Sequence, residues 1–307
     1  MNVDLPVIIV NPKSGGGISE QNWASVAARL RNHLGPFDCA FTRGPADAIR
    51  LAEEEAQAGR RLIVACGGDG TVSEVANGIL RAGGNAELGL LHRGTGGDFC
   101  RNLKLPTDFE KAAKRLKEGK MHRMDAGLLT YTTREGQETK RFFINTASFG
   151  LSGEVASRAN VSEKRWGGTA TYMAATLKAL VSYKYPDVVL QVDAQPETRL
   201  RIVTVCVANG PAFGGGMKIA PGAKLNDGLF NVVVIAQLKP SYIVLNSYKL
   251  YTGGVLTLDR VKHSPAKRVT ATPVDSSEEI LLEVDGESPG KLPASFEILP
   301  LALKIRV

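Results

Sequence analysis

Apolar and polar residues follow two different rhythms along this chain, and the change falls near Arg123. Before it, short apolar runs of strand length alternate with stretches that are apolar every third or fourth position. Residues 5–10, 37–42, 62–65 and 87–91 read as strands. Trp23, Val26, Ala27, Leu30 and Leu34 mark a first covering helix, Pro45 opens a second that runs to about residue 59, and residues 72–80 form a third. Asp108 caps an amphipathic helix over 108–118. Such β-α alternation predicts an α/β domain with a parallel sheet.

After Arg123 the alternation stops and strands separated by turns take over, at 124–129, 141–147, 187–192, 199–208 and 230–235. Shorter ones follow near 268–271, 280–284 and 296–299. Two helical interruptions are expected, a long one over roughly 151–183 and a shorter one near 240–251. The first carries Tyr172, Met173, Ala175, Leu177 and Leu180 on one face, which reads as core more readily than as lipid contact. The expected division is 1–123 and 124–307, with the last residues as candidates to return to the first domain.

The strand ends carry the candidate chemistry, because open α/β sheets bind ligands beyond the carboxyl ends of their strands. Gly67-Gly68-Asp69-Gly70-Thr71 turns one strand into a helix, and the following Val72 and Ser73 begin that helix. Backbone N–H groups there can approach an anion closely, aided by the helix dipole. A plain tight turn using glycine is the other reading. Asp69 would repel phosphates unless a cation lay between. A second glycine turn, Gly94-Thr95-Gly96-Gly97-Asp98, follows one β-α unit later, and Asn11-Pro12-Lys13-Ser14-Gly15 ends the first strand. Thr42 ends another, where it serves either as a helix cap or as a nucleotide contact. Asn226-Asp227-Gly228-Leu229 reads as a turn former or a cation ligand, and Asp285-Gly286-Glu287 puts two carboxylates on one turn.

Composition narrows the class without choosing the function. Of 307 residues, 43% are hydrophobic and 22% charged, which excludes disordered and fibrous proteins. A net charge of +7 suits a polyphosphate or an anionic surface. Cys39, Cys66, Cys100 and Cys206 have no paired spacing, which points to reduced thiols in the cytoplasm. Neither a signal peptide nor a transmembrane helix is expected.

In one order, Asn11-Pro12-Lys13-Ser14-Gly15, Gly67-Gly68-Asp69-Gly70-Thr71 with Glu74 and Asn77-Gly78, Gly94 to Phe99, the Gly214-Gly215-Gly216-Met217 loop, Asn226 to Leu229 and Asp285-Gly286-Glu287 resemble the diacylglycerol kinase catalytic family. The likeness spans nearly the whole chain and extends more distantly to sphingosine and ceramide kinases. It implies an α/β nucleotide-binding domain followed by an antiparallel β-sandwich, and ATP- and Mg²⁺-dependent phosphorylation of a lipid hydroxyl, in a cleft between the domains. By motif, ATP contacts fall on Asn11, Pro12, Lys13, Ser14, Gly15, Thr42, Gly67, Gly68, Asp69, Gly70, Thr71, Val72, Ser73 and Thr95. Mg²⁺ falls on Asp227 with the carbonyls of Lys224 and Leu229. The general base falls on Glu287, with Asp285 as second choice. Gly97 stands where many members have Asn.

The resemblance implies a cytoplasmic, membrane-peripheral enzyme of phospholipid biosynthesis with a diacylglycerol-like substrate and no nucleic-acid partner. A homodimer is one candidate assembly, and no sequence feature fixes it. Asp69, Asp98 and Asp125 are expected near the cleft and to make metal dependence strict. Arg158, Lys164, Arg165 and Trp166 read either as an anionic-membrane contact or as a solvated loop. The rival activities are an NAD kinase-like or other small-molecule kinase, and a catalytically silent lipid- or nucleotide-binding regulator.

Overall fold

The computed structural model describes residues 3–15, 20–94, 96–161 and 183–307. The chain falls into two compact units, Met1–Met124 with Leu301–Val307, and Asp125–Pro300. Thr95, Lys164, Arg165, Trp166 and the apolar set from Tyr172 to Leu180 lie outside the described residues.

In the first unit, β1 (Val7–Val10), β2 (Asp38–Phe41), β3 (Leu62–Gly67) and β4 (Glu87–His92) form a parallel sheet in the order β2-β1-β3-β4. Between them run α1 (Glu20–Leu34), α2 (Asp47–Gln57) and α3 (Asp69–Arg81); α4 (Asp98–Asn102) and α5 (Phe109–Glu118) follow. β1 and β3 are apolar at nearly every position and fully buried, as central strands covered on both faces must be. Trp23, Ala27, Leu30 and Leu34 of α1 pack with Ile8, Val64 and Leu116 in one core. The buried Arg60 guanidinium is held by Asp38, Glu55 and the Leu5 carbonyl at 2.9 to 3.0 Å.

The second unit is antiparallel. It contains most of β5 (Met121–Thr132), then β6 (Glu138–Phe143), β7 (Thr146–Gly150), α6 (Leu151–Val161), β8 (Asp187–Val192), β9 (Thr198–Ala208) and β10 (Phe230–Ala236). Two short helices, α7 (Pro240–Asn246) and α8 (Tyr248–Thr252), lead to β11 (Val261–Ala266), β12 (Arg268–Pro273), β13 (Leu282–Val284) and the long β14 (Lys291–Arg306). β9 serves two layers: residues 198–201 pair with β8, and its remainder pairs with β7 and β10. Phe143, Phe149, Phe230 and Phe296 are fully buried in the core these strands enclose, with Phe143 stacked on Phe230 at 5.4 Å.

β14 passes from one unit to the other. Its early residues pair with β12, whereas Lys304 and Ile305 pair in parallel with Glu87 and Leu88 of β4 and extend the first unit's sheet. β11 is absent from the sequence expectation. It is polar, contains Pro265 and pairs only with β10, as an edge strand can.

Candidate active site

The first loop is built around Asn11. Its N–H bonds the Cys66 carbonyl, its Oδ1 accepts the Lys13 N–H at 3.0 Å, and its carbonyl accepts both the Ser14 N–H and hydroxyl. Its Nδ2 donates to Thr71 Oγ1 at 3.0 Å, tying the end of β1 to the first turn of α3. The loop is thereby shaped by its own side chain, with Pro12 at its crest and Gly15 at positive φ. Gly67 and Gly68 carry the chain from β3 into α3. The first helical bond in α3 runs from the Val72 N–H to the Gly68 carbonyl, so the amides of Asp69, Gly70 and Thr71 precede the ladder. Val72 and Ser73 are buried and support that turn.

Glycine is required where the two turns meet. A Cβ on Gly94 would lie 2.8 Å from the Gly68 Cα. At Gly97 the need is both conformational and steric: it caps α4 at φ 70°, and a Cβ there would lie 3.1 Å from His92 Nε2.

Asp69 serves the second glycine turn as well as the first. Its carboxylate accepts the N–H groups of Gly97, at 2.8 Å, Asp98 and Phe99, and so caps α4. Asp98 in turn pairs with Arg101 at 2.6 Å, and Asp125, in the other unit, accepts the Gly228 N–H at 2.7 Å. Each of the three carboxylates expected to repel phosphate is therefore engaged within its own unit, Asp69 and Asp125 by backbone N–H groups and Asp98 by Arg101. Thr42 is likewise not the cap of α2. Glu74, reaching across from α3, accepts the Ala46 and Ala48 N–H groups, while the buried Thr42 bonds the Val10 carbonyl through its N–H.

Two arginines absent from the sequence expectation flank the turns. Arg93 Nη2 donates to the Gly15 carbonyl at 3.3 Å. With Gly15, His92, Gly96, Arg101 and Thr107 it lines a cavity of about 400 Å³. Their placement directly after a strand and after a glycine turn was the available signal. His92 sits 3.0 Å from the Gly94 carbonyl and serves the turn itself.

In the second unit, Val284 and Glu287 exchange both backbone hydrogen bonds around Asp285 at φ 47° and Gly286 at φ 90°, a two-residue hairpin turn. The two carboxylates on it differ sharply. Asp285 accepts the N–H groups of Ile144, Asn145 and Thr146 at 3.0 to 3.1 Å, and the buried Glu283 accepts the Gly286 N–H. Glu287 is 38% exposed and makes an ion pair with Arg141 Nη2 at 2.6 Å. Burial opposes the Arg141 charge, but Glu287, with Asp285 and Tyr131, together more than offset it and hold the guanidinium protonated above its usual range.

Asp227 is exposed on the turn before β10, with Oδ1 accepting the Leu229 N–H at 3.2 Å. Asp125 fastens this turn through Gly228 and through its own N–H, which bonds the Leu225 carbonyl at 2.7 Å. The donor types the resemblance names on this turn, the Asp227 carboxylate and the backbone carbonyls of Lys224 and Leu229, are all oxygen, the chemistry a hard divalent cation prefers. Among the described residues no group of three or more His, Cys, Asp or Glu side chains is arranged to hold a metal.

Comparison with known proteins agrees with this architecture. Residues 6–129 match the diacylglycerol kinase catalytic domain model, and residues 145–307 match the YegS C-terminal NAD kinase beta sandwich-like domain model. The chain is similar to the diacylglycerol kinase of Bacillus subtilis, 30% identical over 94% of this chain and 91% of the relative. That of Staphylococcus carnosus is 27% identical over 94% and 90%. A crystal structure of a candidate diacylglycerol kinase from Bacillus anthracis superposes with a TM-score of 0.77 at 25% identity, covering 99% of this chain and 97% of that one. Yeast NADH kinase, at 12% identity and a TM-score of 0.54 over 97% of this chain and 79% of that one, shares the fold. The chain belongs to the diacylglycerol kinase catalytic family, a family of lipid kinases.

Proposed function

We propose that this protein transfers the γ-phosphate of ATP to the hydroxyl of a diacylglycerol-like lipid, with Mg²⁺. The observation that carries the reading is the division of labour on the 284–287 hairpin, where Asp285 is spent on three backbone N–H groups and Glu287 is left accessible. A lipid hydroxyl is a weak nucleophile at neutral pH, so a carboxylate accepts its proton as the new P–O bond forms. Glu287 takes that role, and Arg141 is the residue that orients it.

Phosphoryl transfer asks the protein for placement and charge compensation more than for covalent chemistry. The amides of Asp69, Gly70 and Thr71, at the positive end of α3, receive phosphate oxygens. Asn11 and Thr71 fix the adjoining loop, and Arg93 and Arg101 add positive charge beside it. Mg²⁺, held by Asp227 and the carbonyls of Lys224 and Leu229, would neutralise phosphate charge. The two family-model matches and the curated relatives support a lipid as acceptor.

The test is phosphorylation by the purified chain with labelled ATP and Mg²⁺, on diacylglycerol, phosphatidylglycerol, sphingoid bases and ceramide, beside NAD and sugar phosphates. Product from diacylglycerol alone or most rapidly supports the reading. Product from none of the lipids, or preferentially from a soluble acceptor, overturns it.

A further inference from the structure

The helical pair α7–α8 carries an exposed apolar face that no described residue covers. Ser247 between the two helices is itself helical, at φ −59° and ψ −29°, so the side chains from Pro240 to Thr252 keep a nearly continuous helical spacing. Ile243 packs against Leu151, Val155 and Val203, and Leu250 joins the cluster of Cys206, Ile219 and Val233. Those two side chains anchor the helices inward. Val244, Leu245, Tyr248 and Tyr251 point the other way, Leu245 at 75% exposed and Tyr248 at 58%. Their spacing of i, i+1, i+4 and i+7 makes one stripe. Large apolar side chains on soluble surfaces are usually scattered singly, and a contiguous set marks a contact.

Charge identifies what the contact is. No Asp or Glu occurs from residue 228 to residue 258, and the charged residues in that stretch are Lys239 and Lys249. Lys239 is exposed at the start of α7. At the other end the exposed Lys218 is fixed beside α8: its N–H bonds the Leu250 carbonyl, and its Cδ lies 3.7 Å from where a Cβ on Gly253 would be. Two aliphatic residues and two tyrosines flanked by lysines, in a stretch of chain with no acid from 228 to 258, match the boundary of an anionic bilayer. There the apolar part enters the acyl region, tyrosines sit at headgroup depth and ammonium groups meet phosphates.

We infer that the outer face of α7–α8 docks on an anionic lipid surface. The inference deepens the lipid-kinase reading, since an enzyme whose acceptor resides in a bilayer needs a face that lies on one. Co-sedimentation of the full chain with phosphatidylcholine vesicles, with and without phosphatidylglycerol, tests it at low and high salt. The native chain is expected to pellet with the anionic vesicles, less at high salt and less with neutral ones. Leu245→Asp with Tyr248→Asp should weaken that binding by about tenfold or more, given the transfer free energy of such side chains. Lys218→Glu with Lys239→Glu should remove the salt-sensitive part. Leu245→Asn alone gives a milder version of the first loss, and native melting curves are expected for all three variants because every position changed is exposed.

Failure of the native chain to bind either vesicle, or unchanged binding by the first two variants, overturns the inference. So does sedimentation velocity in which the native chain self-associates and the Leu245→Asp, Tyr248→Asp variant does not, because that assigns the face to a second copy. Vesicle binding needs no ATP, and phosphorylation of a detergent-dispersed short-chain diacylglycerol needs no vesicle. Loss of the first with retention of the second rejects the docking face and leaves the kinase reading standing; the reverse rejects the kinase reading.

Discussion

Asp69 Oδ2 accepts the Gly97 N–H at 2.8 Å, joining the glycine turn after β3 to the one after β4. The carboxylate thus keeps the two glycine-rich loops in fixed relation. Asp69→Asn exchanges a charged acceptor for a weaker neutral one at three N–H groups, and a loss of about 2–3 kcal/mol of stability is expected. Thermal unfolding should show a clearly lower Tm together with a raised KM for ATP. An inactive variant with native Tm would instead mean that Asp69 acts on the nucleotide directly.

Glu287 and Asp285 should separate by the kind of damage their replacement causes. Glu287→Gln keeps the size of the side chain and removes the proton acceptor, so kcat is expected to fall about 10²–10⁴-fold with little change in Tm. Asp285→Asn keeps a residue that tolerates positive φ but discards the charge that three N–H groups face. It should lower Tm as well as activity. Steady-state kinetics paired with calorimetry on both variants makes the check.

Removal of divalent metal by chelation should abolish turnover, and added Mg²⁺ should restore it. Asp227 is exposed and its one hydrogen bond to Leu229 is local, so Asp227→Asn should leave Tm near native. The Mg²⁺ concentration for half-maximal rate should rise by about tenfold or more, as expected when the sole carboxylate ligand of a site is neutralised. A native Mg²⁺ titration in that variant would move the metal elsewhere.

Burial pushes the Cys66 thiol up to about 12 and the Cys100 thiol to about 11, and raises Cys206 as well. For an acid whose folded pKa is raised, the folded state keeps the proton that the unfolded chain releases. The associated stability is complete below the ordinary thiol value of 9.0 and is lost as pH rises from there towards about 12. Tm should therefore fall on going above pH 9, and less steeply in a Cys66→Ala, Cys206→Ala variant. Near neutral pH, alkylation followed by mass spectrometry should mark the exposed Cys39 and spare the other three.

The α/β and β-rich halves of the fold are legible in the sequence because their signals are local. Ile8 and Val64 sit in unbroken apolar runs, and Asp108 caps α5 through the nearby Lys111 N–H. What the sequence left open is decided by partners far along the chain. Thr42 looked like a cap, but Glu74 reaches α2 first. Asp285 and Glu287 are equivalent as letters, and only the arrival of Ile144, Asn145 and Thr146 on one and Arg141 on the other makes them different. The edge strand β11 carries Pro265 and little apolar character, so no periodicity announced it.

β14 has a consequence for how this protein is made. The parallel sheet of the first unit includes Lys304 and Ile305, which reach the ribosome's exit only after all of the second unit has been synthesised. Cotranslational folding in strict order, one unit completed before the other begins, is therefore closed to it. A fragment ending at Met124 would expose the open edge of β4 and is expected to aggregate through it, whereas the intact polypeptide seals that edge with its own final strand.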